Sequence, residues 1–375
     1  MNKIFEKGGK LAFLHSTVDA FATFLKVPGT VTLKGAHVRD SIDLKRIMII
    51  AVISVAPAAL FGMWNVGYQH ALAIGEKFSL LQNFWFGFLK VLPLYIVSYA
   101  VGLFIEFASA QIRGEEVNEG YLMSGMLIPL IVPADIPLWM LGIAVAFAVL
   151  IGKEVFGGTG MNIMNPALLT RAFLFFSYPE QMSGSNCWIA FRKGETAIDG
   201  FTGATPLAIA QEGFDSVTAQ YGTSFWDLFF GFVPGSVGET SVVAILLGAA
   251  ILLWTGIASW KIMVSSVAGA LLIGWIGTAT GITDIPCWYQ LVMGGFAFGT
   301  VFMATDPVTA AQTETGKWIY GFLIGVLCVT VRLLNPGYAE GMMLAILMGN
   351  ISAPLIDHCV ISVSLARKAK KFNAA

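Results

Sequence analysis

Ten apolar runs constrain this chain more than any other feature, because roughly 20 mostly apolar residues suffice to cross a bilayer as a helix. They lie at 47–64, 88–110, 121–132, 138–151 and 166–176, then at 242–254, 264–280, 291–305, 318–333 and 341–355. Several are short, and Pro129 and Pro133 interrupt the third. Only 12% of the 375 residues are charged, whereas a soluble domain carries about 25%. Mean hydropathy is +0.75. Too few charges remain to coat a water-facing surface, which argues against a soluble enzyme. The 41 glycines suit helices packed closely in lipid. The expected fold is an all-α polytopic membrane protein of about ten transmembrane helices.

Basic residues orient the spans, since short cytoplasmic segments are enriched in Lys and Arg. With the N-terminus inside, sixteen basic residues fall on inner segments, while Lys77, Arg192 and Lys193 fall outside. Lys90, Arg171 and Arg332 sit at or within span ends. Both termini are therefore expected in the cytoplasm. The start of the chain is polar and followed by acids, unlike a signal peptide. The predicted division is a cytoplasmic segment 1–44, five spans over 45–178, a polar outer loop 179–240, five more spans over 241–358 and a basic tail 359–375. An outer loop that long in a compact protein usually carries function.

The two halves share punctuation. Asp135 precedes Asn165-Pro166 by 30 residues, and Asp306 precedes Asn335-Pro336 by 29. Five spans per unit is odd, so a second copy must sit upside down, and inverted repeats with Pro-broken helices build mid-membrane sites in transporters. The bland alternative is that Asp-Pro and Asn-Pro merely mark helix ends.

Few residues can carry chemistry. Net charge is −1, and no basic tract with interleaved aromatics points to nucleic acid. Cys187, Cys287, Cys328 and Cys359 are too widely spaced for a metal motif and read as isolated buried thiols. His15, His37, His70 and His358 never fall in ligand spacing; only His358 lies near a predicted span, so haem is disfavoured. In the outer loop, Asp199-Gly200-Phe201-Thr202-Gly203-Ala204-Thr205-Pro206 leaves backbone bare around a threonine hydroxyl. Its N–H groups suit a phosphate, although Gly-Ala-Thr-Pro is also an ordinary turn. Between spans four and five, Lys153-Glu154-Val155-Phe156-Gly157-Gly158-Thr159-Gly160 leads to Asn162 and Asn165. No strand precedes it, so a dinucleotide fold is rejected. The two amides either face the mixed edge of a flavin or cap a helix. Ionisable groups in lipid are functional suspects: Glu106, Asp306 and Asp357 suit a hard cation such as Na+, and Gly102 is grouped with them as an ion or quinone coupling candidate. Arg171 has Glu154 as a conceivable partner.

Several further stretches complete a pattern: His37-Val38-Arg39-Asp40-Ser41, Asp43-Leu44-Lys45-Arg46-Ile47-Met48, Glu116-Val117-Asn118-Glu119-Gly120, Pro234-Gly235-Ser236-Val237-Gly238-Glu239 and Phe302-Met303-Ala304-Thr305-Asp306-Pro307. Together with the glycine cluster and both Asn-Pro pairs, they resemble the NqrB/RnfD family. The likeness is greatest to its NqrB branch, membrane components of Na+-translocating NADH:quinone oxidoreductases. That resemblance implies FMN joined to Thr205 through a phosphoester, installed by a separate flavin transferase on a motif that here reads Thr202-Gly203-Ala204-Thr205 after Asp199. It also implies noncovalent riboflavin, assigned to Asn162 and Asn165, a ubiquinone or menaquinone substrate, and Na+ as the transported ion. The implied partners are an outer FMN-bearing subunit and an NADH-oxidising subunit, in a bacterial inner membrane. Two other readings stay open: an RnfD-like component of a ferredoxin-linked complex, and an inverted-repeat solute transporter, channel or mere anchor.

Overall fold

A computed structural model describes residues 34–35, 44–113, 120–184, 187–192, 194–198, 201–221, 225–335, 337–338 and 340–373. The motifs at 37–41 and 116–119, together with Asp199 and Pro336, lie outside these. Among the described residues there is helix and no strand. The first half holds α1 (Leu44–Ile74), α2 (Leu80–Arg113), α3 (Tyr121–Ile131), α4 (Leu138–Gly152) and α5 (Pro166–Ser177). The second holds α6 (Val242–Trp254), α7 (Trp260–Ala279), the broken α8 (Tyr289–Val292, Phe296–Phe298 and a π turn Gly299–Met303), α9 (Glu314–Leu334) and α10 (Met342–Asn373). The chain is a polytopic, all-helical membrane protein.

Every apolar run is helical, but not every run is a full span. Six helices are long and apolar enough to cross a membrane: α1, α2, α4 with its 3-10 extension, α7, α9 and α10. By contrast α3, α5 and α6 have 11, 12 and 13 residues. At about 1.5 Å per residue they are some 17–20 Å long, well short of the ~30 Å hydrocarbon layer. The run at 291–305 is not one helix: Gly294 and Gly295 separate its pieces, and the last turn widens until the Ala304 amide bonds the Gly299 carbonyl at 2.7 Å. In the other direction, α1 runs 31 residues and continues through Pro57. His70, expected to lie away from any span, is therefore fully buried inside that helix.

Short helices in lipid need partners for their ends, because no water is there to bond them. The α3 terminus finds one in segment 231–241, which leads into α6: the Gly238 amide donates to the Leu130 carbonyl at 2.8 Å. That segment lies against α1 where Gly62 leaves room, since a Cβ there would fall 1.7 Å from the Val237 carbonyl oxygen. Packing repeats between halves. In the first, α2 packs on α4, α4 on α5, and α3 touches α1, α2 and α5; in the second, α7 packs on α9, α9 on α10, and α8 touches α6, α7 and α10. The halves join through α1 on α6 and α5 on α10. The extensive α1–α2 pairing has no comparable match between α6 and α7.

Candidate functional site

Two cavities sit at opposite ends of the bundle. The outer one, named for the side that the Lys and Arg distribution predicts to face outward, has a volume of about 370 Å3, within the usual range for small-molecule sites. Thr205 forms part of its wall as the cap of a four-residue turn, Pro206–Ile209, its Oγ1 accepting from the Ala208 amide at 3.3 Å. Ahead of it, Thr202 Oγ1 accepts from the Ala204 amide at 3.3 Å, and Gly203 is buried. The tight turn thus leaves the half-buried Thr205 hydroxyl at the cavity edge.

Arg171, on α5, lines the same cavity and is 4% exposed. Its partner is not Glu154, which pairs with Arg113 at 3.2 Å at the inner end. Instead one guanidinium nitrogen meets Glu239 Oε1 at 2.5 Å and another meets Glu340 Oε2. Ser236 Oγ donates to the second Glu239 oxygen at 2.7 Å. Arg332, nearby on α9, donates to the carbonyls of Glu340 (3.0 Å), Gln290 (2.6 Å) and Met293 (3.0 Å), which fixes the loop before α10 and the break in α8. Thr240 and Tyr338 also line the cavity, but their hydroxyl oxygens are sealed from it and have no hydrogen-bond partner among the described residues.

The inner cavity encloses about 70 Å3 and is walled by Lys153, Asn162, Asn165, Thr305 and Asp306 among others. Here one of the two amides is a helix cap. Asn165 caps α5, its Oδ1 accepting from the Ala167 and Leu168 amides at 3.0 and 3.4 Å, while Nδ2 donates to Asp306 Oδ2 at 3.2 Å. Asn162 donates to the Met164 carbonyl at 3.2 Å. Asp306 also accepts from Thr309 Oγ1 (3.1 Å) and the Val308 amide (3.0 Å). The space is far below what a three-ring flavin needs, so the residues as placed do not fit riboflavin.

Glu106 and Lys153 form a buried ion pair beside this cavity, at 5% and 3% exposure, leaving Glu106 Oε2 unpartnered among the described residues. Gly102, one turn away, makes room for Tyr121: a Cβ there would lie 1.9 Å from the ring. The Lys153 ammonium stands 5.9 Å from the centre of that ring. Glu106, Gly102, Lys153, Asn165 and Asp306 are thus one neighbourhood. Asp357 is elsewhere and walls neither cavity. It accepts from the Gln312 and Thr313 amides (2.7 and 3.0 Å) and from Thr313 Oγ1 (2.5 Å), tying α10 to the start of α9. Of the thiols, Cys328 is buried, Cys187 and Cys287 are half-buried and Cys359 is exposed, so the reading of four buried thiols fails at Cys359. Burial pushes the Cys187 thiol in the outer loop up to about 11.

Sequence reasoning gave Glu239 only within a family stretch, with no role, and missed Glu340. A signal existed for the acids: a buried arginine needs carboxylates, and both stand just before helices, at 242 and 342.

The NQR2, RnfD, RnfE family profile matches residues 31–365. Among similar proteins named as the B component of Na(+)-translocating NADH-quinone reductase, that of Chromohalobacter salexigens is 47% identical, covering 98% of this chain and 94% of the relative. Those of Stutzerimonas stutzeri and Pseudomonas aeruginosa are 46% and 45% identical, each covering 97% of this chain and 96% of the relative. Over nearly its whole length, therefore, the chain belongs to the NQR2, RnfD, RnfE family.

Proposed function

We propose that this chain is the NqrB-type membrane component of a Na+-translocating NADH:quinone oxidoreductase, with FMN esterified through phosphate to Thr205 by a flavin transferase. One observation carries the reading: Thr205 lines the edge of a cavity of ligand size, about 370 Å3. Bound FMN would supply electron-transfer chemistry that no side chain offers. The chain's own part is positional. Thr205 anchors the phosphate, and the Arg171–Glu239–Glu340 cluster, one cation between two carboxylates, forms part of the floor.

In this reading the ten helical segments are two inverted five-helix units, with both termini in the cytoplasm of a bacterial inner membrane. The repeated packing of α2–α4–α5 and α7–α9–α10 supports it. Partner subunits carry NADH oxidation and the outer electron donor, and quinone is the acceptor. Glu106, Lys153, Asp306 and Gly102 are the coupling neighbourhood for Na+. Riboflavin belongs to the family resemblance; the inner space as it stands does not accommodate it, and no step is derived through it.

The test is flavin fluorescence from the denatured band, with the chain produced beside its flavin transferase. The wild-type band should fluoresce, and Thr205→Ala should insert in the membrane but stay dark. A dark wild-type band overturns the assignment and favours a transporter or an anchor.

A further inference from the structure

We propose that Trp188 is the stacking partner of the flavin ring in the outer cavity, and that the Lys90–Asp135 pair holds it there as a positioning device. The inference rests on the reading of Thr205 given above.

Trp188 lines the same cavity as Thr205 and is half-buried, so its indole keeps open surface. The two other aromatic residues of that wall, Phe175 and Tyr338, already pack on each other edge-on, with centroids 4.5 Å apart at 69°. Trp188 packs against no other ring among the described residues. An indole without an aromatic neighbour suits a planar heteroaromatic ligand, because offset stacking adds to the area it buries. The charged side chain of the wall is committed elsewhere: Arg171 is held by Glu239 and Glu340.

What fixes the indole is the chain just after it. Ile189 and Ala190 are 2% and 1% exposed. Phe191 is then clasped at both of its backbone groups: its amide donates to Asp135 Oδ2 at 2.7 Å, and its carbonyl accepts from the Lys90 ammonium. Lys90 and Asp135 are themselves paired at 2.6 Å. Further along, the Ile198 amide donates to the Ala73 carbonyl of α1 at 2.9 Å. The segment carrying Trp188 is therefore held from α1, from α2 and from the turn between α3 and α4 before the chain reaches Thr205. An aromatic surface positioned in advance loses little freedom when a ring stacks on it.

The experiment uses the full chain purified from cells expressing the flavin transferase, with Thr205→Ala as the blank for untethered flavin. Flavin emission is read from the folded protein and again after denaturation. An indole in contact with an excited flavin quenches it by passing an electron to the ring and taking it back, with no net reaction. Wild type should emit weakly when folded and strongly when denatured. Removing an aromatic stack changes the ratio of open to stacked ring by about two- to tenfold. Trp188→Leu should raise folded-state emission accordingly while its denatured band stays as bright as wild type. Trp188→Tyr, which keeps a ring and an electron donor, should restore the quenching. Asp135→Asn leaves Trp188 in place but loosens the clasp; it should raise emission in the same sense, and it supplies the reading if Trp188→Leu does not insert. Folded-state emission at the wild-type level in Trp188→Leu, or in Asp135→Asn where that alone inserts, would overturn the proposal if the denatured bands are bright. A dark denatured band from wild type would instead overturn the Thr205 reading.

Discussion

Replacing Arg171 with Met would strand two carboxylates in the outer half of the bundle. Arg171 is 4% exposed, and its partners Glu239 and Glu340 are 8% and 16% exposed. Breaking a buried pair by deleting one partner costs about 3–5 kcal/mol, because the remaining charge is desolvated and uncompensated. At about 2.1 cal/mol/K of unfolding entropy per residue, a chain this long loses about 0.8 kcal/mol per degree, so Tm should fall by about 4–6 °C. The assay is thermal unfolding of detergent-solubilised protein with Cys187 and Cys287 replaced by Ser, read by a maleimide dye reaching the fully buried Cys328 above the constant signal of exposed Cys359. The triple change Arg171→Met, Glu239→Gln, Glu340→Gln removes the charges together and should recover most of the loss, since neutral replacements of a buried cluster are often tolerated. A Tm within about 1 °C of wild type for Arg171→Met alone would refute the view that this cluster clamps α5 to the loops before α6 and α10.

Other expectations follow from the same geometry. Glu106→Gln leaves Lys153 buried without its counter-charge, so Na+ stimulation of quinone reduction should weaken; unchanged sodium dependence would remove Glu106 from the ion path. Gly102→Ala pushes a methyl into the Tyr121 ring and should destabilise by about 1–3 kcal/mol, with recovery in Gly102→Ala/Tyr121→Leu; a neutral single variant would contradict the packing. Asp357→Ala removes the acceptor of three hydrogen bonds and should cost about 1–3 kcal/mol of stability while sodium dependence persists. Loss of sodium dependence at wild-type stability would return Asp357 to the coupling residues. With Cys187 and Cys287 replaced by Ser, Cys359 on the exposed tail should react with an impermeant maleimide only from the cytoplasmic face, and labelling from outside would reverse the topology.

How far the sequence could be read depended on the range of the interaction involved. Hydrophobic run length and the uneven distribution of Lys and Arg are local properties, so the helical segments, the membrane class and the likeness to a family at Asp306-Pro307, Asn165-Pro166 and Thr202–Thr205 were legible without coordinates. The outer hydroxyl at Thr205 was legible for the same reason, since its turn is built within four residues. Span completeness was not, because whether 11 apolar residues cross lipid or stop halfway depends on a partner such as Gly238, 108 positions beyond Leu130. Likewise Arg171 finds Glu239 and Glu340 at separations of 68 and 169 residues, and no periodicity within α5 encodes that choice. The unpaired state of Tyr338 and Thr240 is a statement about everything around them at once. Chain-local hydrophobicity and charge determine that this protein is helical and resides in a membrane; only the packed bundle decides which buried polar groups find partners, because those partners lie far away along the chain.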